Sequence, residues 1–258
     1  CDVLIIGSGP SGIAAALAAG RAGTRVILAD EDFQLGGRLN AETYNVSGET
    51  GANFVSEALT ELESIDNVQL MPRTTVYGVY DHGIYGALER KTDHLPSSSD
   101  GPRQILWRVY AKRAILCAGA TERPIAFGNN DRPGVMLAGA VRAYVNRWGV
   151  EPGKKVAVFT NNDDGWRTAT DLASKGVEIS AVIDSRGITP PVKLGGARIV
   201  MGGRVVDTKG RHGIRSLILA NGEQISADCL AVSGGWNPNV YLTCHKGGRP
   251  IWNQDIAA

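Results

Sequence analysis

At 258 residues and a formal net charge of +1, the chain is long enough for one large or two modest domains. It has no charge excess that would draw it to nucleic acid or an anionic membrane. Its 33 glycines and 43% hydrophobic residues describe a compact α/β protein, and no apolar run reaches membrane-spanning length. Neither nucleic acid nor membrane is expected as a partner.

The four cysteines (Cys1, Cys117, Cys229 and Cys244) form no C-x-x-C pair and no zinc spacing, so neither dithiol redox chemistry nor a metal site is expected. Cys117 and Cys229 lie in apolar runs and read as small core residues. The sequon Asn45-Val46-Ser47 reads as chance, and a reducing, cytoplasmic setting is expected. Cys1 stands directly on the first apolar run without an initiating methionine, so a longer parent chain is expected.

Val3 to Ile6 is an apolar run, followed by Gly7-Ser8-Gly9-Pro10-Ser11-Gly12, an Ala-rich segment to Ala22, and a second run from Arg25 to Ala29 that stops at Asp30. This is the strand, turn, helix and strand of a dinucleotide-binding G-x-G-x-x-G unit. Gly7 turns the chain off the strand, Gly9 leaves room for a pyrophosphate, and Gly12 lets the helix lie close on the sheet. Pro10 suits the first helical turn, and the helix start offers N–H groups and partial positive charge to phosphate. Asp30 follows Gly7 at about the 20-residue spacing at which an acid meets a ribose 2′-OH. That favours NAD, FAD or another ADP-containing ligand over NADP.

Beyond Glu31, the Gly36-Gly37-Arg38 turn admits two readings: a second backbone segment against the ligand with Arg38 reaching a phosphate, or a plain glycine turn with a solvated arginine. Thr50 to Ser64 has helical spacing, with Phe54, Val55, Ala58, Leu59 and Leu62 on one face, and Val68 to Met71 is a short strand. Alternation through residues 74–110 predicts a β-meander, its polar loop from Asp93 to Pro102 forming a mobile tip. Ala114 to Cys117 is a strand whose small-residue end, Ala118-Gly119-Ala120, suits close approach to a ligand. After the polar connection Ile125 to Gly134, Val135 to Trp148 is expected to be one amphipathic helix, with Leu137, Val141, Tyr144, Val145 and Trp148 on its apolar side.

The opening pattern then recurs: strand Lys155 to Phe159, helix Gly165 to Lys175, strand Glu178 to Ile183, then Asp184. Thr160, Asn162 and Gly165 stand where Gly7, Gly9 and Gly12 stood. Two of three glycines are gone, and Asp163 and Asp164 would repel pyrophosphate and, as helix caps, take its donors. The second unit is therefore expected to be kept as architecture and closed as a site. Short strands follow at residues 197–201, 205–207 and 214–220. Gln224 to Gly235 is expected to be a single strand returning to the first domain, after which the chain ends in no evident element. The layout expected is a dinucleotide-binding domain over 1–150 (meander at about 74–111), a second Rossmann-like unit over 151–226, and a return segment over 227–258.

A first unit, a meander, an inserted second unit and a return strand resemble the glutathione-reductase-like two-dinucleotide fold, here without the further Gly-Asp strand that usually contacts a flavin. The runs TERPIAFGNNDRPGVMLAGAVRAYVNRWGV and KKVAVFTNNDDGWRTATDLASKGVEISAVID resemble the alpha subunit of heterotetrameric sarcosine oxidase over nearly the whole chain. The resemblance implies the central region of a longer subunit, preceding a folate-binding, aminomethyltransferase-like domain. It further implies beta, gamma and delta partner subunits, FAD in the beta subunit and covalent FMN at the alpha–beta interface. The family activity is oxidation of sarcosine to glycine, with methyl transfer to tetrahydrofolate and formation of hydrogen peroxide. NAD in the alpha subunit is not a redox partner in turnover. Carried onto this chain, the NAD site comprises Gly7, Gly9, Pro10, Ser11, Gly12 and Asp30. It extends to Glu31, Gly37, Arg38 and the backbone near Val76 and Gly119. Related opine and amino-acid dehydrogenase alpha subunits share the layout, so the amine substrate stays open. The histidines (His82, His94, His212 and His245) fall in polar, turn-like stretches and read as exposed, so no catalytic residue is assigned. Three readings remain: a non-catalytic nucleotide-binding module, a self-sufficient FAD-dependent oxidoreductase, and a packing scaffold.

Overall fold

The computed structural model describes residues 1–46, 48–96 and 101–255. The expectations for Ser47 of the sequon, the centre of the 93–102 loop and the last three residues lie outside the described residues. The chain divides into two units, one built from residues 1–120 and 238–255, the other from 121–237.

The first unit holds a four-stranded parallel sheet in the order Val68–Met71, Val26–Ala29, Val3–Ile6, Arg113–Leu116. The run Val3–Ile6 is apolar at every position because both its faces are covered. Ile5, Val26 and Leu28 meet Ala16 and Leu62 from helices Pro10–Arg21 and Gly51–Glu63. Leu4 and Ile6 meet Val109 and Ala111 of the meander side. The second of these helices starts where expected because Thr50 Oγ1 accepts from the Asn53 N–H at 3.2 Å. Strands Thr74–Tyr80, Ile84–Arg90 and Gln104–Tyr110 form the expected antiparallel meander. Two small elements carried no readable signal: the hairpin Asn45–Val46 with Glu49–Thr50, and a one-turn helix Tyr241–Cys244.

The second unit repeats this plan. Its parallel sheet runs in the order Val135–Leu137, Cys229–Ser233, Lys155–Thr160, Glu178–Asp184, Arg198–Met201. Val156 and Val158 face Val141, Trp166 and Leu172 of the helices Ala138–Trp148 and Asp163–Ser174. Ala157 and Phe159 face Leu217, Leu219 and Ile225 of an antiparallel sheet formed by Val205–Lys209, Ser216–Leu219 and Gln224–Ser226. Cys229 is fully buried in this core, and burial pushes its thiol up to about 12, so packing accounts for it.

Three expectations are corrected. Val135 to Trp148 is not one helix: Val135–Leu137 pairs in parallel with Leu230–Val232, and the helix begins at Ala138. A three-residue apolar strand and a helical turn cannot be told apart by periodicity. Tyr144 and Trp148 are exposed, while Arg142 is the buried large side chain of that helix. Gln224 to Gly235 is two strands, broken at Ala227-Asp228, where the Asp228 carboxylate accepts the Lys154 and Lys155 N–H groups at 3.1 and 2.9 Å. Finally, Cys229–Ser233 belongs to the second sheet rather than returning to the first. The units therefore change over at residues 120/121 and 237/238, not near 150 and 226.

Candidate nucleotide-binding site

In the first unit the turn after Val3–Ile6 is set by backbone contacts. Gly7 donates to the Ala29 carbonyl at 2.8 Å and adopts φ +99°. A Cβ there would lie 2.3 Å from the Cys117 carbonyl oxygen, and one on Gly12 would lie 1.9 Å from the Gly7 carbonyl oxygen. These two glycines are structural. Gly9 differs: a Cβ on it would meet nothing within 4 Å. The helix start it leads, through Pro10 and Ser11, has no side-chain cap. Pro10 and Ser11 are exposed. The sequence thus leaves a cradle and uncapped N–H groups at one place, which fits a diphosphate.

Asp30 follows the second strand, but its carboxylate is already engaged. Oδ2 accepts the Ser8 backbone N–H at 2.6 Å and the Ser8 hydroxyl at 2.7 Å, and Oδ1 accepts the Asp32 N–H at 2.8 Å. A carboxylate offers about four lone-pair positions, so acceptor capacity for a ribose hydroxyl is left. The Gly36-Gly37 turn lies directly on the fingerprint loop, since a Cβ on Gly37 would stand 2.8 Å from Gly9 Cα. The turn thus packs on the fingerprint loop itself. Arg38 pairs with Glu42 at 2.7 Å, and Glu31 is exposed, its carbonyl accepting from Arg90. Val76 packs its side chain with Leu4 and Ile6, two residues past Thr74, which donates to the Asp30 carbonyl. Gly119 adopts φ +65° with open space at its Cβ position. Asn239 fixes this strand end, its backbone N–H donating to the Gly119 carbonyl at 2.9 Å and its Nδ2 to the Ala118 carbonyl at 2.9 Å. Sequence reasoning missed Ser8 and Asn239. Ser8 could have been suspected as the hydroxyl flanked on both sides by fingerprint glycines, whereas nothing local marks Asn239.

The equivalent place in the second unit is filled by its own side chains. Gly165 keeps the close approach, its absent Cβ lying 2.4 Å from Thr160. The Thr160 hydroxyl accepts the Asn162 N–H at 3.1 Å and donates to the Asn162 carbonyl at 2.9 Å. Asn162 Oδ1 accepts the Asp164 N–H at 2.9 Å, while its Nδ2 donates to the Ser233 carbonyl at 3.1 Å. The expectation that the two aspartates cap the helix is corrected: Asn162 is the cap. Asp164 instead pairs with buried Arg142 at 3.0 Å, and Asp163 with Arg186 at 2.8 Å. Asp184, in the ribose-acid position, is fully buried and accepts from Trp166 Nε1 at 2.8 Å and from the Arg186 guanidinium. Burial alone would raise its pKa, but Arg186 and Trp166 outweigh burial and hold it below the usual carboxylate range.

Glu122 is a second buried acid in this unit, 6% exposed, and went unnoticed in the sequence. Its Oε2 accepts the Gly139 N–H at 2.7 Å, and Oε1 has no partner among the described residues. Burial pushes its pKa up, against the opposing pull of Ser233 and the Gly139 N–H. A carboxyl raised on folding loses stability as pH climbs from the ordinary carboxylate range through the raised value. Glu122→Gln is therefore expected to flatten that decline, with a melting temperature at neutral pH equal to or above that of the unaltered chain. A pH series of thermal melts reads it, and an unchanged pH slope would contradict the assignment.

All four histidines are exposed. Among the described residues no group of three metal-ligating side chains occurs, and no helix is long and apolar enough to cross a membrane.

Residues 2–77, the first unit's sheet start, fingerprint and second helix, match the family model described as FAD dependent oxidoreductase. The L-proline dehydrogenase from P. horikoshii superposes with a TM-score of 0.76 at 25% identity, covering 98% of this chain and 47% of that one. The chain is thus an α/β protein of the glutathione-reductase-like type, the scaffold of FAD- and NAD-dependent oxidoreductases. By sequence it is, along its whole length, a relative of the sarcosine oxidase alpha subunits. It is 47% identical over 262 residues to that of Rhizobium meliloti (strain 1021) and 39% identical over 275 residues to that of Corynebacterium sp. (strain P-1). All of this chain is covered in both comparisons, against 26% and 28% of those relatives, so it spans about a quarter of their length.

Proposed function

We propose that the chain binds an ADP-containing dinucleotide, NAD, at the first unit and forms the nucleotide-binding region of an amine-oxidising flavoenzyme subunit. One observation carries this reading: the helix start behind Gly9 is open and uncapped, while its counterpart behind Asn162 is capped and plugged. Gly9, Ser11 and Gly12 would hold the diphosphate by backbone, with Gly7 setting the turn and the Pro10 position pre-set for the helix. Asp30 would take the ribose, and Gly37, Val76 and Gly119 would line the approach. Arg38 and Glu31 stand at the rim, Arg38 engaged by Glu42. A dinucleotide here would carry a redox-capable ring at the end remote from its adenosine; for NAD, the family resemblance implies that this ring takes no electrons in turnover. This chain's residues bind and orient it; no side chain here is assigned to a proton transfer or a covalent step.

The whole-subunit activity belongs to the same proposal: sarcosine to glycine, methyl transfer to tetrahydrofolate, and hydrogen peroxide. So do FAD and FMN elsewhere in a complex with beta, gamma and delta subunits, and a cytoplasmic setting. The relatives' names, sarcosine oxidase subunit alpha, support the sarcosine-oxidising part of this reading and the presence of further subunits.

A second reading places FAD in the first site, favoured by the description of the family model over residues 2–77. Denaturing the purified chain and recording the released ligand's spectrum separates them: adenine absorption alone supports NAD, a visible flavin band at one per chain supports FAD.

Asp30→Ala is expected to weaken NAD binding by about 1–3 kcal/mol, the range for hydrogen bonds to a charged group. Calorimetric titration measures this, and unchanged affinity would remove the ribose role.

A further inference from the structure

Ser8 is fully buried between Gly7, which sets the turn, and Gly9, and its hydroxyl is used twice. It donates to Asp30 Oδ2 at 2.7 Å and accepts the buried Gly36 N–H at 3.0 Å. A hydroxyl has one proton and two lone pairs, so both bonds form at once with a single orientation. The backbone N–H of the same residue donates to the same Asp30 oxygen at 2.6 Å. One side chain therefore ties together the fingerprint turn, the acid after the second strand and the Gly36-Gly37 turn that lies on Gly9.

We infer that Ser8 is a specificity-setting positioning residue of the nucleotide site. Through its hydroxyl it fixes the Asp30 carboxylate so that acceptor capacity stays directed at an adenosine 2′-hydroxyl. This rests on the dinucleotide reading above. Asp30 is only partly buried, and an exposed carboxylate turns about its terminal torsion with little preference. Two donors from Ser8 on one oxygen and the Asp32 N–H on the other, at 2.8 Å, remove that freedom. Loss of the hydroxyl removes one of them, loosening the acid that meets the ribose. The group sensed is the adenosine diphosphate portion shared by NAD and FAD, so the inference does not depend on which of them occupies the site.

The test is titration of the intact chain and its Ser8→Ala variant with two probes, ADP and 2′-deoxy-ADP. The probes share base and diphosphate and differ by the one hydroxyl. The expected result is about a tenfold loss of ADP affinity in Ser8→Ala, the size of one charge-assisted hydrogen bond, with less than about a twofold change for 2′-deoxy-ADP. Ser8→Cys, near in size and a weaker donor, is expected to fold with the unaltered melting temperature and to fall between the two for ADP. It keeps the test available if the alanine variant does not fold. Equal losses for both probes would make Ser8 merely structural and overturn the inference, as would no loss for either. Failure of the unaltered chain to bind ADP would instead show, before any variant is compared, that the dinucleotide reading itself is wrong.

Discussion

Replacing Gly9 with alanine is expected to leave the fold intact and remove most of the nucleotide affinity. Gly9 adopts φ −62° and ψ −179°, extended backbone that alanine also populates, and the space where its Cβ would go is empty. The methyl group restricts the unfolded chain but makes a poorer helix cap, so the net stability change stays within about 1 kcal/mol. The same methyl group points into the space that a diphosphate needs, and overpacking there costs about 1–3 kcal/mol of binding, roughly a 5- to 150-fold loss. Gly12→Ala is the opposite control. Its Cβ would overlap the Gly7 carbonyl oxygen at 1.9 Å, a backbone atom with no room to move, so it should lower unfolding stability by about 3 kcal/mol. Urea unfolding and ADP titration of the two variants give the comparison. Gly9→Ala binding ADP as well as the unaltered chain would contradict the placement of the ligand.

Asp184→Ala is expected to do the reverse, damaging stability while sparing nucleotide binding. The substitution strips Trp166 Nε1, on a 2% exposed side chain, of its 2.8 Å acceptor and removes the charge facing Arg186. Leaving a buried donor unsatisfied and losing charge-assisted bonds together amount to about 3–4 kcal/mol. The pH dependence follows from the depressed pKa of Asp184. Its stabilising contribution is present above the ordinary carboxylate range and is lost as pH falls through the lowered folded value. Stability curves of the unaltered chain and the variant should therefore converge in strong acid and separate toward neutral pH. An Asp184→Ala protein of unchanged melting temperature that binds ADP tenfold more weakly would mean that this acid serves a ligand after all.

How much of this was legible in the sequence depends on how local each determinant is. The Gly7 to Gly12 spacing, the apolar runs on either side and Asp30 lie within thirty residues, and their placement follows from turn and helix geometry alone. The closure of the second unit was legible as lost glycines, but its means was not. Asp163 and Asp164 suggested repulsion and capping, whereas Arg142 and Arg186 neutralise them and Asn162 closes the helix start by reaching Ser233, 71 residues further on. Partners at that separation leave no spacing to read. The same holds for the strand Val135–Leu137, whose identity comes from pairing with Leu230–Val232 rather than from its own three residues. Ser8 was in plain view between two glycines, yet its use depends on Gly36 and Asp30 converging on one hydroxyl.

The proposed nucleotide site requires that one of two like units be open to a diphosphate and the other closed by its own side chains. A crystal structure of the chain grown with NAD tests it most directly. Density for one dinucleotide is expected beside Gly9 with its ribose at Asp30, with protein side chains alone at Thr160 to Gly165. A dinucleotide lying across Thr160 to Gly165, with none beside Gly9, would contradict it.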